Sequence, residues 1–224
     1  MSAQGVMLKD YFLAFHRIIS QGVDTAIDRI DLFIQEDFPD VQTQEGYLNY
    51  VNALAVLLDS HHKIEDEIAF PYFQDTLPDT HFNWLHQDHD LITGFLEEGA
   101  PILDHLKNSE WVKQNLGMLK EVLLKIEDRW SQHIELEEEE FVEIIDALST
   151  NKERSQLFTQ FGNYNHELLN PHQLTIPFML YNLEQQDRIV IINTHPKDWF
   201  MHIDNSEWGA KWQSMKTFLL SEIQ

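Results

Sequence analysis

The sequence predicts an all-α protein, an antiparallel up-down four-helix bundle followed by a mainly helical C-terminal extension. Two observations support this prediction. Glycine and proline are scarce, at 8 and 7 in 224 residues, which leaves long segments free of helix breakers. Within those segments apolar residues recur every three or four positions, which is the period of an amphipathic helix. A chain of this length can also bury a core.

Four long helices are predicted in the first two thirds of the chain. They cover about residues 7–35, 43–75, 79–107 and 109–148. The first illustrates the pattern, because Phe12, Phe15 and Ile19 fall on one face. Short connections between such helices favour an antiparallel bundle. We expect the large aromatic side chains Phe70, Trp84, Trp111 and Trp130 to lie in its core.

The C-terminal part of the chain differs from the rest in composition. We assign residues 1–150 to the bundle and residues 151–224 to an extension packed on it. The extension contains Pro171, Pro177 and Pro196 and the apolar run 189–192, whose composition suits a strand. Because no partner strand is evident, shorter helices are the preferred interpretation of this part.

Composition and charge exclude several classes of function. The chain has 38 acidic and 15 basic residues, a formal net charge of −23, which repels nucleic-acid phosphates and anionic lipid. It has no cysteine, which excludes disulfides, thiolate metal sites and cysteine nucleophiles. No signal peptide and no apolar run long enough to span a membrane is evident. We therefore expect a cytoplasmic protein with no nucleic-acid or membrane partner, and its oligomeric state stays open.

Two copies of one motif point to a metal site. His61 and Glu65 are four residues apart in the second helix, and His133 and Glu137 are four apart in the fourth. This spacing puts each His–Glu pair on one helix face, one turn apart. Imidazole is a neutral ligand for iron, zinc or copper, and a carboxylate can bridge two cations and offset their charge. Ionised carboxylates without a partner are costly in an apolar core.

The other two helices supply histidines at matching distances. His16 in the first helix precedes His61 by 45 residues, and His89 in the third precedes His133 by 44. The chain thus reads as two halves, each a helix with a histidine followed by a helix with the His–Glu pair. In a bundle all of these groups point to one interior position. His86 lies near His89 on the same helix and is a further candidate ligand.

Other polar residues near these motifs have simpler interpretations. His62 follows His61 directly, so its side chain is rotated by about 100° on an α-helix and is expected at the surface or in a supporting position. Glu135 and the run 138–140 are expected to form a solvated acidic face, with Glu140 phased closely enough to His133 to add a carboxylate.

Four segments of the chain resemble the hemerythrin family, specifically the hemerythrin-like cation-binding (HHE) domains. The matching segments are Phe15–Ile19, His61–Pro71, Asp88–Ile92 and His133–Phe141. The resemblance covers about residues 8–148, and residues 176–188 are similar to the tail of longer bacterial members. It implies that the terminal ligands are His16, His61, His89 and His133. It also implies that Glu65 and Glu137 bridge two non-haem iron ions.

The sequence departs from the oxygen-carrying hemerythrins at two places. Those proteins have two histidines four apart on the third helix and a His–Asp pair on the fourth. Here His86 and His89 are three apart, and Glu137 takes the acidic position. The departures favour the broader HHE group. They also leave open whether His86, His89 or both bind metal, and the repeat spacing ranks His89 first.

The resemblance implies a di-iron (Fe²⁺/Fe³⁺) protein with a bridging oxygen species that binds O2 or NO. One alternative is an oxidoreductase, namely an oxidase, a peroxidase-like enzyme or an NO-detoxifying enzyme acting on a small-molecule substrate. A second alternative is an iron sensor or store in which metal occupancy controls folding. The same ligands also suit zinc or manganese.

Overall fold

Four long helices form the main body of the protein in a computed structural model, which describes residues 6–75, 77, 79–108, 111–203 and 206–220. They are α1 (Leu8–Glu36), α2 (Val41–Ile64), α3 (Asp79–Lys107) and α4 (Val112–Glu137). Each helix packs on the next, and α4 packs back on α1. Because consecutive helices run in opposite directions, this closed ring is the predicted antiparallel bundle, and that prediction is confirmed.

Two of the four helices continue as a π-helical turn. α2 runs into the π turn Glu65–Ala69 and a final α-helical turn Phe70–Phe73, and α4 runs into the π turn Glu138–Val142. A π turn inserts one residue into the helix and changes the direction of the side chains that follow. Both turns begin at or directly after the glutamate of a predicted His–Glu pair.

The C-terminal extension is also helical. Its elements are α5 (Asn151–Leu168), α6 (His172–Tyr181), α7 (Arg188–Thr194), α8 (Lys197–Met201), α9 (Ser206–Trp212) and a 3₁₀ segment (Gln213–Phe218). The apolar run 189–192 lies in α7, and the described residues contain no strand, so the helical interpretation is confirmed. The extension packs on α1 and α2 of the bundle.

A buried polar network ties the extension to the bundle. The hydroxyl of Ser60 on α2 donates to Asn165 Oδ1 on α5 over 2.8 Å. The amide of Asn165 lies 3.2 Å from the Tyr11 hydroxyl on α1 and 3.1 Å from His195 Nε2. All four side chains are buried. Because a buried polar group is costly without a partner, this network favours one docking position for the extension.

The prediction for the large aromatic side chains is half right. Phe70 and Trp130 are buried at 2% exposure, whereas Trp84 and Trp111 are 63% and 78% exposed. Trp84 is next to Leu85, which is fully buried on the core face of α3, so the indole points to the outer face of that helix. Trp111 is the residue before α4 and has a left-handed backbone conformation with φ 44°.

The backbone of the 3₁₀ segment approaches α2 at Gly46, and this contact leads to a prediction. A Cβ atom at Gly46 would lie 2.0 Å from the carbonyl oxygen of Ser214. We expect Gly46→Ala to push the 3₁₀ segment away from α2 and to destabilise the fold by about 1–3 kcal/mol. For a chain of this size that lowers the melting temperature by roughly 2–12 °C. Thermal unfolding followed by circular dichroism measures the shift.

Gly117 in α4 provides the matched control. A Cβ there meets no heavy atom within 4 Å. Gly117→Ala should leave stability unchanged or raise it slightly, since alanine restricts the unfolded chain. Equal melting temperatures for the two variants would contradict the tight contact.

None of the described helices is both long enough and apolar enough to cross a membrane.

Candidate metal centre

The bundle interior holds seven polar side chains that all point to one place. They come from all four long helices, and none is more than 2% exposed: His16, His61, His62, Glu65, His89, His133 and Glu137. The same faces of these helices carry the apolar core residues, so the packing of four amphipathic helices places these polar groups in the core. Six of the seven were predicted from the sequence.

The first cluster joins α1, α2 and α4. His16, His61, Glu65 and Glu137 each offer one ligand atom, and these atoms lie within 4.8 Å of one another. His16 Nε2 is 3.0 Å from Glu137 Oε2, and His61 Nε2 is 3.0 Å from Glu65 Oε1. Two nitrogens and two carboxylates thus surround one point.

The second cluster lies on the other side of Glu65. His62, Glu65, His89 and His133 offer ligand atoms that are also within 4.8 Å of one another. His89 Nε2 is 3.3 Å from both Glu65 Oε2 and His133 Nε2. Glu137 Oε2 is 3.6 Å from His133 Nε2, so this carboxylate lies between the clusters. The two oxygens of Glu65 face different clusters, which is the arrangement of a bridging carboxylate.

The unpaired atoms of these side chains fit two cations. Several buried nitrogen and oxygen atoms that face the clusters make no hydrogen bond: His16 Nε2, His61 Nε2, the ring nitrogens of His62 and all four carboxylate oxygens of Glu65 and Glu137. Nitrogen and oxygen atoms only 3.0 Å apart that do not bond to each other point to a shared third position. Adjacent ligands of an octahedral cation with bonds of about 2.1 Å are about 3 Å apart.

Comparison with known families agrees with this geometry. The family model of the hemerythrin HHE cation-binding domain matches residues 15–145, more than half of the chain. The chain belongs to this family. No curated protein and no solved structure gives a significant match. The resemblance found in the sequence is therefore confirmed, and the buried His–Glu cluster of this hemerythrin-like domain fits the binding of metal cations.

The electrostatics of the cluster favour a bound cation. Burial, and then the nearby Glu137 carboxylate, raise the pKa of Glu65 well above its usual value. Burial also acts to raise the pKa of Glu137, but His16 and the other site histidines outweigh it and lower that pKa to about 2. Ionising both carboxylates is therefore unfavourable without positive charge between them. A pair of cations would supply that charge.

Two of the imidazoles are in the form that metal binding requires, whereas at His16 the nearby carboxylates of Glu137 and Glu138 outweigh burial and raise the pKa to about 9, so that ring must lose a proton to bind a cation. Burial, followed by the charge of neighbouring histidines, lowers the pKa values of His61 and His62 well below the usual value. Both rings are therefore neutral at pH 7, and a neutral imidazole offers a lone pair to a cation without first losing a proton.

Aromatic side chains surround the hemerythrin-like centre. The ring of Trp130 lies 5.6–5.9 Å from the rings of His16, His61, His62 and His133. Other aromatic rings pack against the outer ligands: Phe15 stacks on His61 and Phe70 stacks on His89, each at 5.7 Å. The shell keeps bulk water away from the ligands and holds the imidazoles in place.

The two histidines that competed on the third helix take different positions. His89 is buried in the second cluster, whereas the side chain of His86 is 43% exposed and lies outside both four-residue clusters. His86 Nδ1 is 2.6 Å from Asp66 Oδ1, and His89 Nδ1 is 2.7 Å from the same oxygen. Asp66 thus connects His86 to the ligand candidate His89. Direct metal binding by His86 remains a prediction.

His62 is the residue that sequence reasoning missed. Of the two positions expected for it, the surface position is wrong, since the side chain is 2% exposed and lies against His89 and His133, and its ligand atom belongs to the second cluster. The argument from the 100° rotation assumed that all ligands point to one interior position. The structure has two clusters on either side of Glu65, and each of the adjacent histidines faces one of them. The signal was present, because His62 is three residues before Glu65 and so shares a face with it.

These positions lead to a prediction that separates ligands from supporting residues. We expect His62→Ala to bind one ion tightly and to weaken the second by more than the roughly 10–100-fold typical of residues outside the ligand set. His86→Ala should keep two ions, because His86 lies outside both clusters. Metal titration with elemental analysis measures both. Equal loss in the two variants would contradict the assignment of His62 to the centre.

Proposed function

We propose that this hemerythrin-like domain is a non-haem di-iron protein that binds O2 or NO reversibly. The observation that carries the proposal is the pair of clusters sharing Glu65, in which five histidines outnumber two carboxylates. A histidine-rich site disfavours high-valent iron compared with a carboxylate-rich one. Binding of a diatomic ligand without further chemistry is therefore favoured over oxygenase chemistry.

The chain's own residues have separate tasks in this proposal. Glu65 and Glu137 hold the two cations close together, and the histidines complete each cation's ligand set from four different helices. The aromatic side chains around Trp130 keep bulk water away from the ligands. The iron pair supplies the electrons that a diatomic ligand accepts on binding.

Elemental analysis combined with optical spectra tests the proposal. We expect two iron ions per chain and an absorption change on adding O2 or NO to the reduced protein, which reverses when the gas is removed. A chain that holds zinc or manganese, or that shows no gas-dependent change when loaded with iron, would contradict the proposal. The variant Glu65→Ala/Glu137→Ala is the control for iron bound elsewhere on this acidic surface.

A second candidate function is a di-iron oxidoreductase, and one pocket favours it. The pocket has a volume of about 210 Å³ and is lined in part by Phe70, Asn83 and His86. Asp66 links His86 to the centre ligand His89. A small substrate bound there would lie within two side chains of the metal pair. Turnover of peroxide or NO by the iron-loaded protein would support this function over simple binding.

A further inference from the structure

Each of the two predicted bridging glutamates is followed directly by a second acid. Asp66 follows Glu65, and Glu138 follows Glu137. Unlike the bridging glutamates, both second acids are partly exposed, with side chains 32% and 39% accessible. The sequence placed Glu138 on a solvated acidic face, and this expectation is wrong in one respect, because one of its oxygens contacts a buried histidine.

The two second acids make the same contact in different halves of the bundle. Glu138 Oε1 is 2.8 Å from Nδ1 of His16 on α1, and Asp66 Oδ1 is 2.7 Å from Nδ1 of His89 on α3. In both histidines the other nitrogen, Nε2, points into the centre, 3.0 Å from Glu137 Oε2 for His16 and 3.3 Å from Glu65 Oε2 for His89. The contact therefore occurs twice, and each half of the sequence supplies one acid and one histidine to the pair of contacts.

We propose that Asp66 and Glu138 are positioning residues that set the metal-binding tautomer of His89 and His16 and balance the charge of the metal pair. This inference rests on the proposed two-metal centre. A carboxylate that accepts a hydrogen bond from Nδ1–H holds the imidazole ring in one orientation and keeps the proton on Nδ1. The lone pair of Nε2 is then available to the cation. The π turns help to position these acids, since each includes one of them.

The charge balance supports two acids in this role. Two divalent cations carry four positive charges, and the neutral imidazoles offset none of them. Glu65 and Glu137 supply two negative charges, and Asp66 and Glu138 supply two more. A third carboxylate, Asp88, lies 3.7 Å from His133 Nδ1 but also pairs with Arg129, which offsets its charge. By contrast, the side chains of Asp66 and Glu138 pair with histidines.

Asp66→Asn and Glu138→Gln test the charge, because each amide keeps an oxygen that can accept the Nδ1 proton. With Co²⁺ as the probe and a competing chelator, we expect each variant to bind Co²⁺ about 10–100-fold more weakly than the wild-type chain. In the iron-loaded protein each variant should raise the reduction potential, because removing a nearby negative charge disfavours the ferric state. Glu139→Gln, an exposed acid in the same π turn as Glu138, is the charge-matched control and should change neither value.

Proton NMR of the Co²⁺-loaded chain tests the tautomer. Metal-bound histidines give strongly shifted signals for their exchangeable N–H protons. We expect Asp66→Ala to lose the signal of His89 and Glu138→Ala to lose that of His16, with the other signal kept in each case. A loss of stability alone would not remove one signal selectively.

The outcomes separate this inference from the proposed function. If the wild-type chain does not bind two Co²⁺ ions, the two-metal centre fails, and the role of the second acids fails with it. If the wild-type chain binds two ions and the Asn and Gln variants behave like Glu139→Gln, only the positioning role is contradicted. Because both acids are partly exposed and their amide replacements have the same shape, thermal unfolding of the metal-free variants should match wild type.

Discussion

Replacing both Glu65 and Glu137 with alanine should reduce the metal content of the chain from two ions to one at most. Glu65 belongs to both clusters, and Glu137 lies within 3.6 Å of a histidine in each. Without them the first cluster keeps two histidines, too few to hold an ion against water. The second cluster keeps His62, His89 and His133, which suffice for a single zinc-like ion. Elemental analysis after extensive dialysis gives the count.

The control for this double variant removes two other glutamates from the same region. Glu135 and Glu139 are exposed, so Glu135→Ala/Glu139→Ala changes the net charge equally without touching the centre. This control should keep two ions. If the Glu65/Glu137 variant also keeps two ions, neither carboxylate is a bridge.

Removing the metal from the wild-type chain should lower its melting temperature by about 10 °C or more. An ion that binds only the folded state stabilises it by about 4 kcal/mol when present at 1,000 times its dissociation constant. Two such ions act together, and each kcal/mol shifts the melting temperature of a chain of this size by roughly 2–4 °C. Metal-free protein must also bury the Glu65 carboxyl group beside Glu137 without a cation between them. Thermal unfolding before and after chelation measures the effect.

The Glu65→Ala/Glu137→Ala variant again serves as the control in this experiment. It should show a much smaller change on chelation, since it no longer holds the pair of ions. A wild-type melting curve that chelation leaves unchanged would mean that the buried cluster is stable without cations, and it would also count against the sensor alternative. A large shift accompanied by loosening of residues 151–224 would favour that alternative, because α5 packs on α2 and on the π turn Glu65–Ala69.

The helices and the identity of the centre could be predicted because they depend on local spacing. Periodic apolar residues predicted the starts of the four helices to within three residues, although the fourth ends at Val142 after its π turn and not at 148, and the two His–Glu pairs marked the faces that meet. The family resemblance rested on the same segments and is confirmed over residues 15–145. The helical extension was also predictable, since the apolar run 189–192 has no strand to pair with among the described residues.

The contacts that each side chain makes with other helices could not be predicted from the sequence. Trp84 is helical as predicted, but only the packing of α3 against α2 and α4 places it outside. His86 and His89 both contact Asp66, and only the packing of α3 in the bundle buries His89 in the second cluster and leaves His86 at its edge. The π turns, which no periodicity argument revealed, alter the phase of the residues that follow each bridging glutamate.

The sequence by itself determined an all-α bundle with a histidine–glutamate centre, because helix period and motif spacing are local properties that a single chain segment records. The tertiary structure alone decided that there are two clusters, that His62 belongs to one of them, and that Asp66 and Glu138 contact His89 and His16. These are relations between atoms on different helices. They depend on how the helices pack and on how each is rotated about its axis. No single segment of the sequence specifies that packing.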